Sequence, residues 1–227
     1  NKEMPLIVEI MPVGLLQTNC YLAACPETRD AVIIDPGGHP QRILAAVQKH
    51  RLTVRYVLNT HGHFDHTEAN GPIVEATAAP LAAHPLERPL LAMAGGAAFF
   101  GLPARPGPVP DRDLLPGEEQ AVGTLRFQVL HAPGHTPGHV CFYEKAQGVI
   151  FDGDVLFYRE LASRLGDDQP VYGLQSPLLG AALADRTLEQ LASLYVEEIR
   201  AVQPHGPYCL AGFCLGAYLA FEMACRL

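Results

Sequence analysis

Between positions 61 and 66 the chain runs His61-Gly62-His63-Phe64-Asp65-His66, four metal-ligand side chains in six residues. Imidazole and carboxylate are the donor types that zinc, iron and manganese accept. Alternate residues His61 and His63 are spaced to point at one ion, while Asp65 and His66 turn toward a second. One loop therefore carries half of a two-metal site, and the fold must bring the remaining ligands to it from elsewhere.

The surrounding pattern places that loop. Strand Val54-Arg-Tyr-Val-Leu58 runs directly into it, so the cluster sits at a strand's end. Upstream, strands are predicted over Leu6–Ile10, Asn19–Ala23 and Ala31–Asp35, the last stopped by Pro36-Gly37-Gly38. Ile43, Leu44 and Val47 recur at helical spacing between Pro40 and Leu52. Downstream come a helix from Thr67 to Thr77, a strand from Pro80 to Ala83, and a second helix from Leu86 to Phe100 weakened by Gly95 and Gly96. Residues 101–117 hold Pro103, Pro106, Pro108, Pro110 and Pro116, which argues against any regular element there. Strands return at 124–130, 139–143 and 149–151. Two successive runs of strands, with helices interposed, predict an α/β fold of two sheets packed face to face with helices outside.

Composition narrows the function. The 227 residues and 48% hydrophobic content suffice for a packed core. A net charge of −8 repels nucleic acid and anionic lipid, so neither is expected as a partner. No leader sequence and no apolar run of about 18 residues is present, which predicts a soluble, cytoplasmic protein. Cys20, Cys25, Cys141, Cys209, Cys214 and Cys225 lack C-x-x-C spacing, so most are expected to be small buried apolar residues.

Two further ligand candidates lie at later loop ends: His135 in Ala132-Pro-Gly-His-Thr-Pro-Gly-His139 and Asp154 in Phe151-Asp-Gly-Asp154. Together with the first cluster, these ordered motifs resemble the metallo-β-lactamase-fold hydrolases, particularly the glyoxalase II-like thioester hydrolases, over residues 1–158. The resemblance implies a four-layer αββα sandwich and two divalent metal ions, zinc or alternatively iron or manganese. It assigns His61, His63 and His135 to one metal and Asp65 and His66 to the other, with Asp154 bridging. Asp65 is also expected to orient the attacking hydroxide. The implied substrate is a small-molecule thioester such as a hydroxyacylglutathione. Two other readings stay open: a mononuclear iron enzyme similar to the persulfide dioxygenases, and a metal-binding chain without a finished site.

Residues 159–227 depart from that family. From Tyr158 onward the chain resembles the α/β-hydrolase thioesterases that end peptide and polyketide synthases. Gly212-Phe-Cys-Leu-Gly216 stands where their nucleophile elbow lies, between an expected strand Tyr208–Phe213 and an expected helix Leu215–Arg226. No histidine follows Cys214, so a buried cysteine at a tight turn is the expected reading. A partial α/β-hydrolase-like segment would leave apolar edges for the first domain or a homodimer to cover. Leu188, Leu191, Tyr195, Ile199 and Val202 share one helical face, expected to pack outside the second sheet. His205, in Pro204-His-Gly-Pro207, echoes the missing P-G-H-G of the resembled family and is a candidate for the last metal ligand.

Of the other histidines, His39, His50, His84, His131 and His139 fall outside the ligand pattern, although His131 and His139 flank His135 closely enough to support it. Asp35 is either a turn carboxylate or a support for the metal loop. Asp152 competes with Asp154 for the bridging place, and the family register favours Asp154. Phe99 and Phe100 are expected in the core or along a pocket wall.

Overall fold

The structure, a computed structural model, describes residues 5–103, 105–154, 187–210 and 215–227. The chain divides into two compact units, Asn1–Pro170 and Val171–Leu227. The seam expected after residue 158 lies outside the described residues.

In the first unit β1 (Ile7–Val13), β2 (Thr18–Ala24), β3 (Asp30–Ile34), β4 (Thr53–Leu58), β5 (Leu81–Ala83) and β6 (Arg112–Asp113) form a six-stranded sheet in sequence order. The pairs β1/β2 and β2/β3 are antiparallel, and β3/β4, β4/β5 and β5/β6 are parallel. The second sheet is antiparallel, ordered β10-β9-β8-β7, from β7 (Glu119–Val122), β8 (Leu125–His131), β9 (Val140–Glu144) and β10 (Val149–Phe151).

Side-chain alternation along the strands explains the layering. Ile33, Val57 and Leu22 face one way, onto Ile43 and Val47 of α1 (Pro40–Lys49) and Ile73 of α3 (Asn70–Thr77). Val32, Ile34 and Leu58 face the other way, onto Phe127, Val129 and Phe142 of the second sheet. Because β3 is covered on both faces, Ala31–Ile34 are all apolar and buried, whereas β8 alternates buried Leu125, Phe127 and Val129 with exposed Arg126. The described residues of this unit thus give helix, sheet and sheet. A helical layer outside the second sheet is not among them.

Several expected elements change. The predicted helix 67–77 is two, α2 (Phe64–Thr67) and α3. The predicted helix 86–100 breaks into a 3₁₀ turn (Pro85–Glu87), α4 (Arg88–Ala92) and a 3₁₀ segment (Ala94–Phe100), because Gly95 and Gly96 take positive φ of 64° and 78°. Loop 101–117 does contain a strand: β6 pairs with β5 between Pro110 and Pro116, a tertiary pairing that local breakers do not forbid in two residues. Strand β7 had no clear alternation in Glu119-Gln-Ala-Val122 and is defined by β8 beside it.

In the second unit, α5 (Leu188–Val202) begins with a capping box in which Thr187 and Gln190 satisfy each other's backbone N–H. It packs Ala192, Tyr195 and Val196 against Met223 of α6 (Leu215–Ala224). The buried face is shifted from the expected one, since Val202 is 61% exposed. Residues 208–210 form no strand, and Cys214 lies outside the described residues. Cys20, Cys25 and Cys141 are buried, while Cys209 and Cys225 are exposed. Among the described residues no helix is long and apolar enough to cross a membrane.

Candidate metal centre

The carboxyl ends of the parallel strands β3 and β4 open side by side, the position where open α/β sheets hold ligands. Ile34 pairs with Leu58, so Asp35 and Asn59-Thr60-His61 leave the sheet together. Asp35 is fully buried with a positive φ of 53°, a conformation its hydrogen bonds must stabilise. Its Oδ1 accepts from the Thr60 N–H at 2.7 Å and its Oδ2 from the Thr60 hydroxyl at 2.6 Å. Oδ2 also lies 3.0 Å from His66 Nδ1.

These bonds set the imidazole tautomers. The single Thr60 hydroxyl proton goes to Asp35, so at 3.0 Å the same oxygen accepts from His61 Nδ1–H. His66 donates Nδ1–H to Asp35. His61 is left with a bare Nε2, and the Nε2 of His66 faces Asp154 and Asp65; both atoms are buried and without a hydrogen bond among the described residues. Asn59 Nδ2 donates to the His66 carbonyl at 3.3 Å and exchanges side-chain bonds with Asn70, which pins α2 to the end of β4. The Pro36-Gly37 turn presses on the same helix so closely that a Cβ at Gly37 would lie 1.5 Å from the Asp65 carbonyl oxygen, which only glycine avoids.

Donor atoms of His61, His63 and His135 all lie within 4.8 Å of one another, as do those of His61, His66 and Asp154. His63 Nδ1 is 2.9 Å from His135 Nε2. The Asp154 carboxylate straddles the two groups, Oδ1 at 3.4 Å from His66 Nε2 and Oδ2 at 3.3 Å from His135 Nε2. Asp65 Oδ2 accepts from the Thr18 hydroxyl at 2.8 Å and stands 3.6 Å from His66 Nε2. Six of the seven sequence candidates are thereby gathered. The seventh, His205, belongs to the second unit, is exposed there, and is in neither group.

Electrostatics separate the members. Burial, then neighbouring imidazoles, push His61 and His63 well below the ordinary histidine value. Burial also depresses His135. It acts the same way on His66, but Asp35 and Asp154 outweigh it and raise that ring well above the ordinary value. For Asp154 burial works upward, and the surrounding imidazoles, His66 first, hold it below the usual carboxylate range. The lowered imidazoles of His61, His63 and His135, with His66 and the lowered carboxyl of Asp154 beside them, form a nitrogen and oxygen donor set that fits divalent cations. A buried nitrogen without a partner is otherwise costly.

Supporting roles resolve as follows. Asp35 supports the metal loop directly. His139 stacks on His61 at 4.9 Å, burial taking it down to about 3, and its Nε2 accepts from the Asp154 N–H at 3.4 Å. His131 instead stacks on His84 and faces the Pro137 carbonyl. Asp152 is in neither ligand group. Phe99 is 52% exposed rather than core, and Phe100 packs on Phe64 with ring centroids 5.2 Å apart. A cavity of about 480 Å³ adjoins the loop, lined by Leu15, Phe64, Leu91, Leu102 and Arg105 among others. Thr18, Thr60 and Glu87 were not apparent from sequence: the partner of each is distant in the chain or appears only in the fold. Glu87 is 1% exposed and accepts backbone N–H groups from both ligand loops.

Comparison with known proteins bears on this geometry. The Metallo-beta-lactamase superfamily matches residues 13–196. The hydroxyacylglutathione hydrolase GloC of Haemophilus influenzae is 37% identical over 153 residues, 66% of this chain and 72% of that protein. Similar solved structures include the BLEG-1 B3 metallo-beta-lactamase, 34% identical with a TM-score of 0.62 over 66% of this chain and 73% of the other. Another is TTHA1623 in a di-iron-bound form, 32% identical with a TM-score of 0.58 over 92% of this chain and 96% of the other. The superfamily match runs beyond residue 158 and lends no support to the likeness of residues 159–227 to synthase thioesterases.

Proposed function

The chain belongs to the metallo-beta-lactamase superfamily, and from that premise we propose that it is a metal-dependent hydrolase of thioesters of the hydroxyacylglutathione kind. The observation that carries the reading is the Asp154 carboxylate standing between two imidazole groups that share His61. The thioester class is supported by the 37% identity to GloC, a protein named for that reaction.

In this proposal His61, His63 and His135 hold one divalent cation, Asp65 and His66 the other, and Asp154 both. Bound there, such ions lower the pKa of a water from about 15.7 toward 7 and polarise a carbonyl. The chain's own work is positional. Thr18 donates to Asp65 Oδ2, the oxygen 3.6 Å from His66 Nε2, and so fixes the carboxylate that would orient the water's proton. Asp35 and Thr60 hold the His66 and His61 rings with Nε2 inward. A thiolate leaves readily, so no general acid is required of the chain. Zinc is the proposed metal, with iron the second candidate because TTHA1623 was solved in a di-iron form.

Elemental analysis of the purified protein, followed by hydrolysis of a hydroxyacylglutathione with and without chelator, tests the proposal. Two metals per chain and chelator-sensitive turnover are expected. Turnover that survives complete metal removal, or none with both metals bound, would refute it.

A further inference from the structure

One ligand loop follows β4 and the other precedes β9 on the second sheet, and they meet where the Val140 N–H donates to the Thr60 carbonyl at 2.8 Å. Two residues after Thr60 and two before Val140, the backbones are joined through a side chain. Glu87 Oε2 accepts from the Gly62 N–H and Glu87 Oε1 from the Gly138 N–H, both at 2.7 Å. Gly62 lies between His61 and His63, and Gly138 between His135 and His139.

We propose that Glu87 is the positioning residue of the metal centre, a buried carboxylate wedge that sets the spacing between the His61–His63 loop and the His135 loop. Three observations support this. First, the carboxylate has two equivalent acceptor oxygens, and each meets a backbone donor from a different loop, so neither loop moves without losing a charge-assisted bond. Second, both contact points are glycines at close quarters: a Cβ on Gly138 would lie 2.8 Å from Glu87 Oε1, and one on Gly62 would lie 3.1 Å from Oε2. Third, Glu87 is held on a 3₁₀ turn whose preceding residue, His84, caps the Leu86 N–H at 3.3 Å. A nearly isosteric Gln keeps only one acceptor and turns an NH₂ toward the other N–H, so one loop is released. The inference concerns metal geometry and rests on the proposed metal centre, not on the thioester substrate.

The test is metal affinity in Glu87→Gln, by chelator competition, alongside the Co(II) ligand-field spectrum and the thermal midpoint of the metal-free protein. Affinity is expected to fall about 10- to 100-fold, the usual effect of removing a residue that orients metal ligands, with altered Co(II) bands and a metal-free midpoint within a few degrees of the parent. Unchanged affinity and spectrum would overturn the proposal. So would an affinity loss that only tracks a collapse of the metal-free fold. Gly138→Ala, which keeps Glu87 but crowds its Oε1 and the neighbouring His84 Nδ1, provides a second check: weakened affinity with an altered Co(II) spectrum supports the wedge, and parental values for both oppose it. None of these readings depends on which substrate is hydrolysed.

Discussion

The two ligand groups share His61 but sit in different surroundings. In the outer group the His135 side chain is 27% exposed, and its ring leans on that of His63. The inner group is buried: His66 is 1% exposed and lies between Asp35 on one nitrogen and Asp154 and Asp65 near the other. An imidazole flanked by carboxylates is oriented before any cation arrives, and its bases are matched to positive charge. The contrast separates a buried half whose imidazole is held by carboxylates from a half that is partly open to solvent.

Breaking the shared member should erase the contrast. His61→Ala is expected to reduce metal per chain to near zero and activity to the chelated background, as measured by elemental analysis and turnover. Asp35→Asn sharpens it. Losing an acceptor from beneath His66 and Thr60 should weaken the inner position by about 10- to 100-fold and the outer one, which meets Asp35 only through Thr60 and His61, by less, visible as a widened gap in a stepwise metal titration. Equal weakening of both would mean the groups are not distinct. Thr18→Val removes one bond to Asp65 and should cost about 1 kcal/mol, roughly fivefold in kcat, with metal content intact. The smallest effect is expected from His205→Ala, since His205 is exposed in the second unit and outside both groups. Metal per chain should not change, and the loss of one ion would restore it as a ligand.

Much of the first unit was legible because its signals are local. Ala31-Val-Ile-Ile followed by Pro-Gly-Gly, and Val54 to Leu58 running into His61, mark strands and their ends within a few residues. The helix breaks at Gly95 and Gly96 were only half legible: glycine signals weakness, but whether the chain kinks depends on what packs there. Strand β6 and strand β7 were missed for the converse reason, since each is held by a neighbour rather than by its own pattern. The capping of α5 was foreseeable from Thr187 and Gln190, yet the choice of buried face depended on α6.

By itself the amino-acid order determined the donor chemistry: which nitrogens and oxygens are offered, that four of them fall within six residues, and that this run follows a strand. Spacing along a chain decides these things because a run of six residues leaves its side chains little room to separate. Only the tertiary structure decided how the donors are held. The parallel register that sets Asp35 beside Thr60, and the meeting of two sheets that lets Glu87 reach both Gly62 and Gly138, join residues 25 and 51 positions apart. Hydrogen bonds over such separations depend on packing of the whole core, so no local pattern announces them.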